Sequence, residues 1–286
     1  MTPLPPAEEL SKYTETVMAA GRGWQVADVL CRCGPGDPPA EERHSHVSVA
    51  AVLSGSFSYR SDKGRAFLAP GSFLLGNVEQ CYCCGHAHDT GDRCVAFQCG
   101  PEFVEEIAAD LPGIKRIAFT THRLAAHPFL VPTLARIARF TRVGHEEDAE
   151  ALAVDTVSLA LRACHDTDEA PVRAQDESRV AAAIDRINHA PDAGISLSDL
   201  AADAQIGRHH FLRVFRRVTG VTPYAYLMSR RLMAAADALF DDDARILDIA
   251  LDAGFSDLSD FTRRFRAAFG MPPARYRAQR TRRKMH

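Results

Sequence analysis

The order of apolar and polar residues changes character twice along the chain. Between Trp24 and Cys99 the apolar residues fall in short runs: Trp24 to Cys33, Val47 to Tyr59, Phe67 to Leu75 and Cys94 to Cys99. Gly, Pro, Asp and Ser separate them, which predicts β-strands closed by turns. From 102 to 165 the spacing becomes helical, in "PEFVEEIAADL", "LVPTLARIARF" and "EEDAEALAVDTVSLALRACH". The stretch Asp166 to Ser178 is polar, contains a proline and has no period, so it reads as a linker. Everything beyond it is helical. The expected class is α+β, with a first domain over 1–165, a linker over 166–178 and an all-α domain over 179–286.

The all-α part repeats itself. Seven residues recur at an offset of 50: Phe211/Phe261, Arg213/Arg263, Phe215/Phe265, Arg216/Arg266, Gly220/Gly270, Pro223/Pro273 and Tyr226/Tyr276. Upstream, Leu200 to Ile206 echoes Ile249 to Phe255 at an offset of 49. Each copy predicts a short helix (Leu197 to Ala204; Ile246 to Ala253), a tight turn, and a second helix. That second helix has one buried aromatic stripe and one basic face. A glycine stands at its C-cap, and a proline three positions later prevents continuation. Helix, turn and basic second helix describe a helix-turn-helix, whose second helix enters a DNA major groove. Two copies are too few for a solenoid. They suit paired modules on a repeating surface.

The run from Arg231 to Tyr276, "RRLMAAADALF…RILDIALDAGFSDLSDFTRRFRAAFGMPPARYR", resembles the signature of the AraC/XylS transcription regulators. The resemblance covers roughly 176 to 280. It implies seven helices, with a linker helix at about Pro223 to Phe240 holding two recognition helices apart. It also implies promoter or operator DNA as partner, with RNA polymerase, a small-molecule or metal effector and a second copy as further partners. Helices around 130 to 164 are the expected dimer contact. By position, Arg208, His209, Leu212 and Arg213 face the groove in the first module, and Leu258, Ser259, Thr262 and Arg263 in the second. Arg216 and Arg266 extend the two basic faces. Arginine reads guanine bidentately. Leu212 stands where the family often has a hydrogen-bonding side chain, so it should read a thymine methyl or nothing.

The charge is divided accordingly. From Arg173 onward there are 19 Lys+Arg against 14 Asp+Glu, and before it 15 against 23. A basic module on an acidic one assigns DNA binding to the C-terminal part. The N-terminus has no basic region followed by an apolar core, and no apolar run approaches the roughly 18 residues of a membrane span. The expected location is the cytoplasm.

Within the β-region, "HSHVSVAAVLSGSFSY" followed by "LAPGSFLLGN" resembles the half-motifs of a cupin barrel. The glutamate that metal-binding cupins usually carry after His-x-His is replaced by Val49, Ala50 and Ala51. No nucleophile elbow, phosphate loop or HExxH helix occurs, so the expectation is a regulator rather than an enzyme. The alternative is a cupin-type metal-dependent enzyme fused to a DNA-binding domain.

Cysteine usage adds a second chemistry. Seven of the eight cysteines lie between Cys31 and Cys99, densest in "CYCCGHAHDTGDRC". If Tyr82 to His88 is extended, Cys84, His86 and His88 share a face and Cys81 and Cys83 point the other way. Bringing His44, His46, Cys84, His86, His88 and Cys94 together would make a mixed nitrogen–sulfur site for Zn, Ni or Cu. Three other readings stand beside it: a thiol switch at Cys81/Cys83 or Cys31/Cys33, an organic effector in the barrel, and an inert cysteine-rich core.

Overall fold

A computed structural model describes residues 12–86, 91–114, 117–143, 149–164, 173–191, 194–241 and 244–283. The chain opens with β1 (Tyr13–Gly21), β2 (Trp24–Cys31), β3 (Glu41–Arg43), β4 (Val47–Gly55), β5 (Phe57–Ser61), β6 (Gly64–Leu68), β7 (Phe73–Gly76), β8 (Cys81–Gly85) and β9 (Asp92–Cys99). Then come α1 (Pro101–Ala109), β10 (Arg123–Leu124), a 3₁₀ turn (Pro128–Leu130), α2 (Val131–Val143) and α3 (Ala149–Ala163). The C-terminal helices are α4 (Ala174–His189), α5 (Leu197–Asp203), α6 (Arg208–Thr219), α7 (Pro223–Asp241), α8 (Ile246–Asp252), α9 (Leu258–Phe269) and α10 (Pro273–Arg283).

The strands form two antiparallel sheets, ordered β1-β2-β9-β4-β7-β10 and β3-β8-β5-β6. Their facing sides enclose a core of Ala50, Val52, Phe57, Tyr59, Ala66, Leu68, Leu74, Cys94 and Ala96. The opposite face of the larger sheet, through Val49, Ala51, Phe73, Leu75, Val95 and Phe97, packs on Val104, Ile107, Leu134 and Leu152 of the helices. Residues 47–52 of β4 are therefore buried on both faces, and the strand reads as the apolar run "VSVAAV", interrupted only by the buried Ser48, rather than as an alternation.

Three departures from the sequence reading have simple causes. β1 was not expected, because it is an exposed edge strand paired with β2 alone and carries little apolar pattern. The segment read as helical returns a two-residue strand, β10, to the edge of the larger sheet beside β7. α4 begins at Ala174, inside the stretch read as linker.

The N-terminal domain packs on both helix-turn-helix units. Phe67, Ala69 and Ala126 join Phe211, Val214, Phe215 and Val218 of the first unit in one cluster. α2 packs against α7 and α9, so Phe261 and Phe265 of the second unit belong to the same cluster as Leu134, Ile137 and Phe140. The helices expected at a dimer contact thus direct these apolar residues inward.

Candidate nucleic-acid interface

The two units have the same construction. In the first, the turn after α5 places Gln205 at φ 55, with Gln205 N–H donating to Ala202 O at 2.9 Å and Ile206 N–H to Ala201 O at 3.1 Å. In the second, Gly254 at φ 86 repeats both bonds, to Leu251 O at 2.8 Å and from Phe255 N–H to Ala250 O at 3.0 Å. Ser196 and Asp199 form a capping box on α5, and the Asp257 side chain caps α9. α6 buries Phe211, Val214, Phe215 and Val218, and α9 buries Phe261 and Phe265. The rings of Phe211/Phe215 and Phe261/Phe265 stand 5.7 and 5.4 Å apart at similar angles. Each stripe holds its helix so that the basic side faces outward.

The surroundings divide the arginines into two sets. Arg208, Arg213, Arg216 and Arg266 are exposed and have no ion pair among the described residues. Arg217 pairs instead with Asp176 of α4, and Arg264 pairs with Asp260 at 2.7 Å while lying 5.7 Å over the Tyr224 ring. Those two are structural. Arg263 is exposed and also pairs with Asp260. The hydrogen bond from Arg264 and then that from Arg263 hold the Asp260 carboxyl below its usual range. His209, Leu258 and Ser259 are exposed at the starts of their helices, while Leu212 and Thr262 are half-buried.

The expected metal set is not gathered. His44 is buried, 3.0 Å from the Tyr59 hydroxyl, and stacked on Tyr82 at 4.2 Å. Burial, with the neighbouring His122, lowers its pKa to about 4. His46 lies 2.8 Å from its neighbour Ser45. Cys84 packs against the core between the sheets, and Cys94 lies within it. His88 lies outside the described residues. Among the described residues, the His/Cys/Asp/Glu group close enough for an ion is Cys31, Cys33 and His86. Sequence reading singled out Cys31 and Cys33 but paired His86 with His44 and His46. The signal it lacked is strand pairing: β2 and β9 set Cys31 opposite Asp92, and Asp92 accepts from His86 Nε2 at 2.6 Å. Within β8, Tyr82 and Cys84 pack inward and Cys83 lies beside Arg60, but the strand ends at Gly85, short of the extended run to His88 that the sequence reading assumed. The thiol reading needs an exposed low-pKa cysteine. Cys31 does not qualify, because burial, reinforced by the Asp92 carboxylate against a lowering bond from the Cys33 backbone, pushes its thiol up to about 12.

Duplicated helix-turn-helix units with outward arginines define a DNA-binding protein. A family model described as a helix-turn-helix domain matches residues 200–279. PqrA of Proteus vulgaris, a probable transcription factor, is 39% identical over 88 residues, which cover 31% of this chain and 72% of PqrA. ExsA of Pseudomonas aeruginosa, an HTH-type transcriptional regulator, is 41% identical over 81 residues, covering 28% of this chain and 29% of ExsA. A solved AraC-type regulator from Chromobacterium violaceum is 27% identical with a TM-score of 0.35, covering 38% of this chain and 96% of its own. The chain belongs to the AraC/XylS family of transcription regulators. It spans under a third of the length of ExsA. No helix among the described residues is long and apolar enough to cross a membrane.

Proposed function

We propose that the chain acts by binding a specific double-stranded operator, α6 and α9 entering successive major grooves, and that the N-terminal barrel supplies the controlling signal. The observation that carries this reading is the set of exposed arginines on the outer faces of two equivalent helices: Arg208, Arg213, Arg216 and Arg266, without an ion pair among the described residues, and Arg263, whose partner Asp260 also holds Arg264. Engaging the first four forfeits no intramolecular ion pair, and Arg263 can leave Asp260 to Arg264, so these side chains are available to phosphates and guanines. Arg213 and Arg263 are the base readers, with Arg208, Arg216 and Arg266 on the backbone. The protein works by binding and has no turnover of its own.

Gel retardation on the DNA upstream of its own gene tests this. Arg213→Ala and Arg263→Ala should each weaken operator binding by about 10–100-fold and relax preference at one subsite, since a bidentate contact contributes about 1–3 kcal/mol. Footprints should show two protected grooves about 10 bp apart for each monomer. Unchanged affinity and preference in both variants would remove the assignment.

A further inference from the structure

We propose that Cys31, Cys33 and His86 bind a thiophilic d¹⁰ metal ion, of the Zn²⁺ type, beside the cleft between the barrel and α4. Their ligand-capable atoms all lie within 4.8 Å of one another. A tetrahedral ion with thiolate and imidazole ligands holds those atoms roughly 3.5–3.8 Å apart, so closure needs side-chain shifts of about an ångström and no rearrangement of strands.

The fold brings the three residues together from both sheets. Cys31 is the last residue of β2, Cys33 follows two positions on, and His86 follows the end of β8 in the other sheet. Gly91 is what lets the chain pass so close: a Cβ there would stand 2.0 Å from the Cys31 carbonyl oxygen. That approach sets Asp92 opposite Cys31, with its carboxylate on His86 Nε2 at 2.6 Å. A carboxylate on one imidazole nitrogen fixes the ring and leaves the other nitrogen's lone pair for a metal, the usual outer-shell arrangement of a ligating histidine. Asp92 is 7% exposed and, among the described residues, forms no ion pair with lysine or arginine. A cation bound through His86 would place a fixed positive charge next to this buried carboxylate. Cys94 Sγ also donates to Asp92, at 3.5 Å.

Two thiolates and one imidazole select thiophilic ions over Mg²⁺ or Ca²⁺. On binding, Cys31 and Cys33 release two protons to solvent, two metal–sulfur bonds and one metal–nitrogen bond form, and nothing is oxidised or reduced. The fourth position is taken by water or an incoming ligand. Asp92 also lines a cavity of about 600 Å³ whose far wall is Ala181, Asp185 and His189 of α4 with Arg230 of α7. The site therefore adjoins the surface on which the DNA-binding domain sits. As an input to transcription it rests on the regulator reading above, whereas as a metal site it does not.

The test uses the full chain, reduced and stripped of metal, then equilibrated with Zn²⁺ alone and analysed for metal content. One equivalent should bind. Cys33→Ser and His86→Ala should each weaken binding at least about 100-fold, Asp92→Asn by about 10–100-fold, and His46→Ala should change nothing. In the wild-type chain, which needs no substitution to fold, Zn²⁺ should slow alkylation of Cys31 and Cys33 while leaving Cys83 unaffected. Absence of stoichiometric uptake, full uptake by Cys33→Ser, loss of uptake in His46→Ala, or protection of other thiols instead would each overturn the site. Retardation of operator DNA is measured on the same samples. DNA binding without metal uptake sinks the metal site and leaves the regulator, and metal uptake without DNA binding does the reverse.

Discussion

Arg213 and Arg263 hold equivalent places in the duplicated motif, yet only Arg263 is tied to a neighbour, Asp260. Asp260 keeps a second partner in Arg264, so Arg263 can leave for a base without stranding the carboxylate. At His44 the surroundings set a pH response. Its folded pKa is about 4, lowered first by burial, and its unfolded value is near 6.5. Between those limits the unfolded chain carries a proton that the folded chain refuses. The stabilisation is complete above about pH 6.5 and is lost as pH falls toward 4, on the order of 3 kcal/mol in full. Urea melts at pH 7.5 and 5.0 should show a marked drop in the wild type and a smaller one in His44→Gln. His122, also lowered mainly by burial, keeps part of the slope. An equal drop in both proteins would show that His44 is not the group responsible.

At the scale of elements, the two recognition helices end alike and are packed differently. Gly220 and Gly270 cap α6 and α9 at φ 80 and 70, each donating to a carbonyl one turn back. A Cβ at Gly270 meets nothing within 4 Å, while one at Gly220 would stand 2.6 Å from the Ala125 Cβ of the N-terminal domain. Gly270→Ala should therefore cost about 1 kcal/mol, the strain of a left-handed alanine. Gly220→Ala adds an overpacking cost of about 1–3 kcal/mol. Chemical denaturation of the two variants should show that difference, and equal losses would mean that Ala125 moves freely aside. The repeat was legible because aromatic stripe, glycine cap and proline recur at one offset. The unequal packing was not, because Ala125 lies in a segment with no pattern of its own.

Over the whole molecule, polar contacts reinforce the shared apolar clusters. Arg123 Nη1 donates to Phe67 O at 2.9 Å and to Val218 O near the end of α6. Glu177 of α4 is 1% exposed on its side chain and receives Arg65 and, at 2.6 Å, the Ser58 hydroxyl from the smaller sheet. Glu177 Oε1 and Arg65 Nε are buried without hydrogen-bond partners, so the pair is incompletely satisfied. Arg65 remains 35% exposed, which screens the pair. A double-mutant cycle on Arg65→Ala and Glu177→Ala should give a coupling of about 1–2 kcal/mol, below the roughly 3–5 kcal/mol lost when a fully buried pair is broken. Coupling near zero would mean that apolar packing alone joins the domains.

The sequence by itself determined the class of the protein, since helix, turn and cap are local and their signals lie within a few residues of one another. The period of Phe211 to Phe215 and its copy at Phe261 to Phe265 was enough to orient two basic faces. Position along the helix named Arg213 and Arg263 as groove-facing, but it could not show that Arg217 is held by Asp176, which lies on another helix and meets it only once the two are packed. The cysteine-rich stretch was legible as chemistry but not as a site. His-x-His and Cys-x-His-x-His look alike in spacing, and only strand pairing decides that Asp92 lies opposite Cys31 while His44 stacks on Tyr82. Register across a sheet joins residues some sixty positions apart through backbone hydrogen bonds that no side-chain pattern encodes. That is why the candidate ligands Cys31, Cys33 and His86 belong to the tertiary structure alone.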